Sequence, residues 1–146
     1  MKTNKTIVWG FFAVLFALAF IACPDDPDPI RLKFTLINND TEYSVSGEGM
    51  SGAVIIPATY NGKPVTRIES WAFSECTRLT SITIPASVTS ICGYAFSNWT
   101  SSQTIYVRGY ASEAAADAAW DTEWPDGSWR RYCNATIKYW NGSEYQ

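Results

Sequence analysis

The sequence predicts an α/β solenoid-like fold in which short coils of about 23 residues stack on one another. Three observations support this prediction. The chain contains an internal repeat of constant spacing, each unit carries a short apolar strand motif, and the flanks are patterned as a hairpin on one side and as a helix followed by a strand on the other. The repeats cover residues 53–108, which is room for about two to three coils.

The repeat appears when the chain is superimposed on itself. Residues 65–74 and 88–97 share the pattern V-T-x-I-x-x-x-A-F-S, and residues 82–84 match residues 105–107. Both matches have an offset of 23 positions. A constant offset of this size is typical of solenoids, in which each repeat contacts only its neighbours.

The upstream copy of the strand motif has a longer spacing. Residues 54–57 match residues 82–85 at an offset of 28 positions. We assign the five additional residues to a turn-rich insertion at residues 60–64, because insertions in solenoids map to loops on one face.

Alternation within the strand motif predicts which side chains face the interior. Ile82 and Ile84 point one way along a short strand, Thr83 points the other way, and Pro85 ends the strand because it cannot donate to a ladder. One unit alone cannot bury these apolar side chains. Stacked units can bury them, and the strands then form a parallel sheet.

Residues 79–91, LTSITIPASVTSI, followed by Ala95 and Phe96, resemble the BspA-like leucine-rich repeat, a 23-residue class of bacterial surface proteins. Cys76 stands where that family often has a buried cysteine. The resemblance covers roughly residues 53–108. It implies a leucine-rich-repeat sheet and a role in adhesion, with a protein partner or a host-matrix or surface ligand.

The flanks are expected to cap the repeats. Within residues 31–52, two alternating segments separated by Asn38-Asn39-Asp40 predict an N-terminal β-hairpin cap. Within residues 109–146, an alanine-rich helix preceded by the capping residue Ser112 and a strand near residues 135–140 predict a C-terminal cap. The domain is therefore expected to span residues 31–146.

The N-terminus resembles a bacterial lipoprotein signal. Residues 1–22 combine Lys2 and Lys5 with an apolar run too short to span a bilayer permanently, and Ala22 precedes Cys23. The resemblance implies that Cys23 is lipidated and that the protein lies in the cell envelope, at the outer membrane or cell surface. The alternative is an uncleaved anchor with an incidental cysteine. Residues 23–30, rich in Pro and Asp, are expected to form a tether rather than a calcium site.

Composition argues against catalysis and against nucleic acid. The chain lacks histidine, the commonest general base and metal ligand. Outside the signal, the lysines that could act as a general base are Lys33, Lys63 and Lys138. The only candidate for a catalytic carboxylate pair is Glu123 with Asp126. With 11 basic and 14 acidic residues, the chain offers no phosphate-tracking patch. We expect no enzyme activity, cofactor, metal or nucleic-acid partner.

Three cysteines remain if Cys23 carries lipid. Cys76, Cys92 and Cys133 could be isolated thiols, could form one disulfide bridge, or could contribute to a zinc site, although the chain has no CxxC spacing. The sequence leaves these three alternatives open.

The predicted binding surface is the outward face of the repeat strands. It comprises Ile55, Thr83 and Tyr106, flanked by Ser81, Thr104 and Arg108. The function favoured is a lipid-anchored surface protein that mediates protein binding or adhesion. Two alternatives are a structural envelope lipoprotein without a soluble ligand and a carbohydrate-binding module that uses Trp124 and Trp129. The C-terminal aromatics could instead cover the end of the core.

Overall fold

A computed structural model of the chain describes residues 32–120 and 128–146. The predicted signal, Cys23 and the tether lie outside the described residues, as do Glu123, Trp124 and Asp126. The described elements comprise nine strands, one α-helix and a short 3₁₀ helix at Ser128–Arg130. They are β1 (Leu32–Ile37), β2 (Glu42–Gly47), β3 (Gly52–Ile55), β4 (Thr59–Tyr60), β5 (Lys63–Ile68), β6 (Leu79–Ile84), β7 (Ser90–Ile91), β8 (Thr104–Val107), α1 (Glu113–Trp120) and β9 (Thr136–Tyr139).

The parallel sheet predicted from the 23-residue spacing is present. Its strand order is β3-β6-β8-β9, and every pairing is parallel. Ile82 pairs with Ile105 and Ile84 with Val107, each 23 positions apart, while Val54 pairs with Ile82 at 28 positions. Both predicted offsets are confirmed, and the repeat is solenoid-like.

A second sheet forms the other side of each coil. The antiparallel hairpin β1–β2 is confirmed, and its turn places Asn38, Asn39 and Asp40 at positive φ. Strand β2 then pairs in parallel with β5, and β5 with β7. Val45 pairs with Ile68 and Ile68 with Ile91, so the 23-residue spacing extends upstream to the hairpin.

The interior of the coil is filled by rows of apolar side chains contributed by successive repeats. Ile82, Ile84 and Ile105 are fully buried, whereas Thr83 is half-exposed, as the alternation predicts. Phe73 and Phe96, 23 positions apart, stack with ring centroids 5.6 Å apart. The rows confirm that each repeat buries its side chains against its neighbours.

The prediction that residues 60–64 form a loop is wrong in its detail. Tyr60 ends β4, and Lys63 and Pro64 begin β5, with which β4 pairs antiparallel. Only Asn61 and Gly62 turn, both at positive φ, as a two-residue hairpin turn requires. The five additional residues therefore extend a strand into a small hairpin instead of leaving the sheet.

The predicted C-terminal helix and strand are confirmed as α1 and β9. Ser112 caps α1, because its Oγ accepts a hydrogen bond from the Ala115 amide at 3.3 Å. Arg130 forms ion pairs with Glu113 and Asp117 and thereby ties the helix to the following segment. Strand β9 pairs with β8, so the C-terminal segment adds a further strand to the parallel sheet.

The stacked rows make a stability prediction. Replacing Ile82 with Ala removes fully buried methyl groups between two neighbouring strands and should lower the free energy of unfolding by about 2–5 kcal/mol. The matched control is Ile55→Ala on β3, where the side chain is 71% exposed and the change should stay within about 0.5 kcal/mol. Chemical denaturation measures both, and equal losses would contradict the described packing.

Candidate binding surface on the parallel sheet

The outward face of the parallel sheet brings the predicted site residues together. Register pairs Ile55 with Thr83 and Thr83 with Tyr106 in one row across the strands. A second row joins Ser81 to Thr104. Arg108 follows the end of β8, and its amide donates to the Ile84 carbonyl oxygen at 2.9 Å. All six predicted residues therefore lie on one face.

The two rows extend further than the sequence analysis proposed. Lys138 pairs with Tyr106 at the end of the first row, and Thr136 pairs with Thr104 at the end of the second. Ala53 precedes Ser81 in the second row. Thr136 and Lys138 were missed because β9 departs from the 23-residue spacing, and Ala53 was missed because it lies one residue before the matched segment 54–57. Only strand pairing places these residues on the face.

The face varies in chemistry from one edge to the other. Ile55, at the β3 edge, is the most exposed of the large apolar side chains, at 71%. The middle of the face consists of the half-buried hydroxyl side chains of Ser81, Thr83 and Thr104. Lys138 and Arg108 place positive charge near the β8–β9 edge. The middle and the β3 edge therefore offer hydroxyl groups and apolar surface with little charge.

The C-terminal segment covers part of this face, which the sequence analysis did not anticipate. Tyr145 packs edge-on against Tyr106 and Trp140, with ring centroids 4.8 and 5.1 Å apart respectively. The Arg108 Nε donates to the Tyr145 hydroxyl at 2.9 Å. Consequently Tyr106 and Arg108 are already engaged by the chain itself, and the accessible part of the face lies toward Ile55.

A turn at Asn141 and Gly142 directs this segment back over the sheet. The Asn141 side-chain oxygen accepts hydrogen bonds from the amides of Ser143 and Glu144, each at 2.9 Å. The amide of Gln146 then donates to the Tyr139 carbonyl oxygen at 2.9 Å. The sequence signal for this return is the Asn141-Gly142 pair, because Asn and Gly favour turns.

The tryptophan alternative fails at Trp129 and Trp120, whose side chains are buried, whereas Trp140 is 36% exposed. The Trp129 side chain is fully buried and packs edge-on against Phe96 and Trp120, with ring centroids 6.2 and 5.3 Å away. Trp120 is also buried, and its Nε1 donates to the Val88 carbonyl oxygen at 3.0 Å. A buried ring cannot stack on a sugar, so Trp129 closes the core instead. Trp124 lies outside the described residues.

The three remaining cysteines are free thiols. Cys76 and Cys92 are buried and Cys133 is half-buried. Burial raises the pKa of the Cys76 and Cys133 thiols above the ordinary value, because a thiolate loses its hydration inside the protein. The Cys92 Sγ accepts a hydrogen bond from Arg67 Nε at 3.1 Å.

The candidate general bases are dispersed. Lys33 lies on the exposed side of β1, Lys63 donates to the Asp40 carbonyl oxygen, and Lys138 lies on the sheet face. In residues 32–120 and 128–146, no group of three Cys, Asp or Glu side chains is placed to hold a metal ion. Across the same ranges, no helix is long and apolar enough to cross a membrane.

Short parallel strands stacked at 23-residue intervals around an apolar interior define a leucine-rich-repeat solenoid. Residues 54–116 match the family model described as "BspA type Leucine rich repeat region (6 copies)". This match confirms the resemblance to the BspA-type repeat seen in the sequence.

Three solved structures are similar over about half of the chain. A leucine-rich-repeat protein of T. pallidum has 22% identity and a TM-score of 0.47 over 53% of this chain. A leucine-rich cell surface protein of Faecalibacterium prausnitzii has 31% identity and a TM-score of 0.46 over 56%. A leucine-rich-repeat protein of Bacteroides ovatus has 27% identity and a TM-score of 0.41 over 53%.

The similarity spans a minor part of each of those proteins. It covers 40% of the T. pallidum chain, 23% of the F. prausnitzii chain and 21% of the B. ovatus chain. No curated protein matches the sequence at a significant level.

Proposed function

We propose that this chain is a lipid-anchored cell-surface protein that binds a protein partner through the open part of its parallel sheet face. The observation that supports the proposal most strongly is the exposed Ile55 beside the hydroxyl rows of Ser81, Thr83 and Thr104. An apolar side chain surrounded by polar groups is the usual composition of a small protein-binding surface. The proposal assigns the chain a role in binding or adhesion, without catalysis and without nucleic acid.

Rigid strands favour such a role. Neighbouring strands of a sheet lie about 4.8 Å apart, so the rows hold their side chains at fixed spacing before any partner arrives. Preorganised side chains lose little conformational entropy on binding. The open part of the face is nevertheless small, and stable protein interfaces bury about 800 Å² on each partner. One copy should therefore bind modestly, and many copies on a membrane would add avidity.

The ends of the solenoid need protection for the proposal to hold. We assign the β1–β2 hairpin to the N-terminal end and the segment from α1 to Tyr145 to the C-terminal end, with two to three repeat coils between them. Terminal repeats of solenoids need such cover because their apolar interior would otherwise face solvent. Buried Trp120 and Trp129 support this assignment at the C-terminal end.

The membrane part of the proposal depends on Cys23 and the tether. Lipid on Cys23 would hold the protein at the cell envelope, since acyl chains contribute about 0.8 kcal/mol per buried CH₂. Residues 23–30 would separate the domain of residues 31–146 from the membrane, because alternating Pro and Asp favour extended chain.

Photocrosslinking on intact cells tests the binding face. A photoreactive residue placed at Thr83 should give a crosslink to one protein partner, whereas the same residue at Thr35, exposed on β1 of the other sheet, should not. Ile55→Asp should lower the Thr83 crosslink yield about tenfold, because a charge would have to be buried against the partner. Leu36→Asp, at a 40% exposed position on β1, is the matched control and should leave the yield unchanged. Equal yields at Thr83 and Thr35 would contradict the proposal.

Mass spectrometry of the mature N-terminus tests the anchor. We expect Cys23 to be the first residue and to carry acyl chains. An unmodified Cys23, or a chain that still carries residues 1–22, would refute the anchor and leave the binding face untouched.

A further inference from the structure

Three aromatic side chains form a row along a second surface, at the turns between the two sheets. Trp71 and Tyr94 stack in parallel, with ring centroids 4.5 Å apart and planes inclined by 4°. Tyr94 in turn stacks on Tyr132 at 6.0 Å and 24°. Trp71 is 56% exposed and Tyr132 is 64% exposed, so the row lies at the surface and not in the core.

The backbone beneath the row is unusual for such large residues. Trp71, Tyr94 and Tyr132 have φ values of 60°, 61° and 60°, in the left-handed region that favours glycine or asparagine. A bulky residue is unfavourable there, and burial does not compensate Trp71 or Tyr132. Strained positions occupied by exposed side chains cluster at binding sites, which makes this row a candidate.

The stack ends at Trp71 beside a cavity of about 350 Å³. One wall of the cavity belongs to the preceding coil and consists of Gly47, Glu48, Gly49 and Met50. The opposite wall consists of Trp71 and residues 74–78. The Gly47 amide donates to the Ala72 carbonyl oxygen at 3.0 Å, which joins the two coils beside the cavity.

The preceding coil supplies no further ring to the stack, because the residue 23 positions before Trp71 is Glu48. One face of the Trp71 indole is covered by Tyr94, and Trp71 also lines the cavity. The geometry therefore provides an aromatic surface at which a planar or ring-shaped ligand fits between two coils.

The polar groups around the cavity include both donors and acceptors. Glu48 and Glu75 offer carboxylate oxygens, Ser74 and Thr77 offer hydroxyl groups, and Arg78 offers guanidinium donors. Asn98 of the next coil donates to the Glu75 carboxylate and orients it.

We propose that this cavity binds a neutral sugar, with one pyranose ring stacked on the Trp71 indole. Ring hydroxyl groups both donate and accept, which matches a lining of mixed polarity, whereas the C–H face of a pyranose matches the indole. Glu48 and Glu75 would also suit a guanidinium or ammonium group, so the test below includes a cationic probe. Ligand sites of this kind are clefts of about 300–1,000 Å³ with few polar groups around an aromatic surface, and the cavity lies within that range.

The proposed sugar site is independent of the sheet face. Trp71 precedes the buried Phe73 at the turn that follows β5, whereas Ile55 and Thr83 lie on the other sheet. A sugar site on one surface and a protein-binding face on another can therefore be separated by substitution.

Saturation-transfer NMR tests the proposal directly. The probes are the methyl glycosides of glucose, galactose, mannose and N-acetylglucosamine, together with cellobiose, maltose and lactose. The full chain is used in a detergent whose headgroup is not a sugar, so that the detergent does not compete. We expect transfer to at least one probe, with the largest effect on its ring C–H protons, and quenching of tryptophan fluorescence by the same probe.

Matched variants locate the site. Trp71→Ala should weaken binding about tenfold or more because stacking is lost, and Glu48→Gln should weaken it severalfold. Trp71→Tyr, which places in this coil the ring that the next coil carries, should retain most of the binding. Trp140→Ala is the control for another exposed tryptophan, and Ile55→Asp is the control for the sheet face. Both should bind as the unaltered chain does.

Three results would overturn the proposal. The first is that none of the probes binds. The second is that Trp71→Ala and Trp140→Ala bind equally well, which would place the sugar elsewhere. The third is that arginine amide, added as a cationic probe, binds at Trp71 whereas the sugars do not.

Discussion

The structure depends on the stacking of apolar side chains at intervals of 23 residues. Ile82 pairs with Ile105, and Ile68 lies between Val45 and Ile91, in two parallel rows on opposite sides of the coil. A coil of this size has too little surface to bury its own side chains, so each coil is stable only against its neighbours. Constant spacing keeps the rows aligned and leaves the alternate residues outside.

The surface follows from the same spacing. Residues that alternate with the buried row on β6 and β8 form the outward rows of the sheet, and residues at equivalent turn positions form the aromatic stack. Both surfaces are therefore consequences of the register, because one turn of the coil places one residue in each row. Function in such a fold is set by the outward residues, while the inward residues are constrained by packing.

The repeating pattern changes at the ends of the two surfaces. At the C-terminal end Tyr145 packs against Tyr106 and accepts a hydrogen bond from Arg108, so two residues of the predicted site already serve the chain itself. At the Trp71 end of the aromatic row, the preceding coil carries Glu48 in place of a further ring, and a cavity lies beside it. Departures from the repeat therefore cover part of the sheet face and leave a cavity beside the aromatic row.

The features predicted from the sequence are those that depend on the 23-residue spacing and on local residue patterns. The pairing of Ile82 with Ile105, the hairpin before the repeats and the helix after Ser112 follow from spacing, alternation and capping. The cover provided by Tyr145 and the cavity beside Trp71 could not be predicted in this way. The Tyr145 contact joins segments whose separation in sequence has no relation to the repeat. The cavity lies between neighbouring coils, but it depends on side-chain packing that the spacing does not encode.

Cross-strand nuclear Overhauser effects test the register most directly. The account predicts backbone contacts between residues 81–84 and 104–107, each residue with the one 23 positions further along the chain, and between residues 67–68 and 90–91 at the same spacing. Contacts at a different spacing, or antiparallel contacts between these strands, would contradict the stacked coil and both surfaces derived from it.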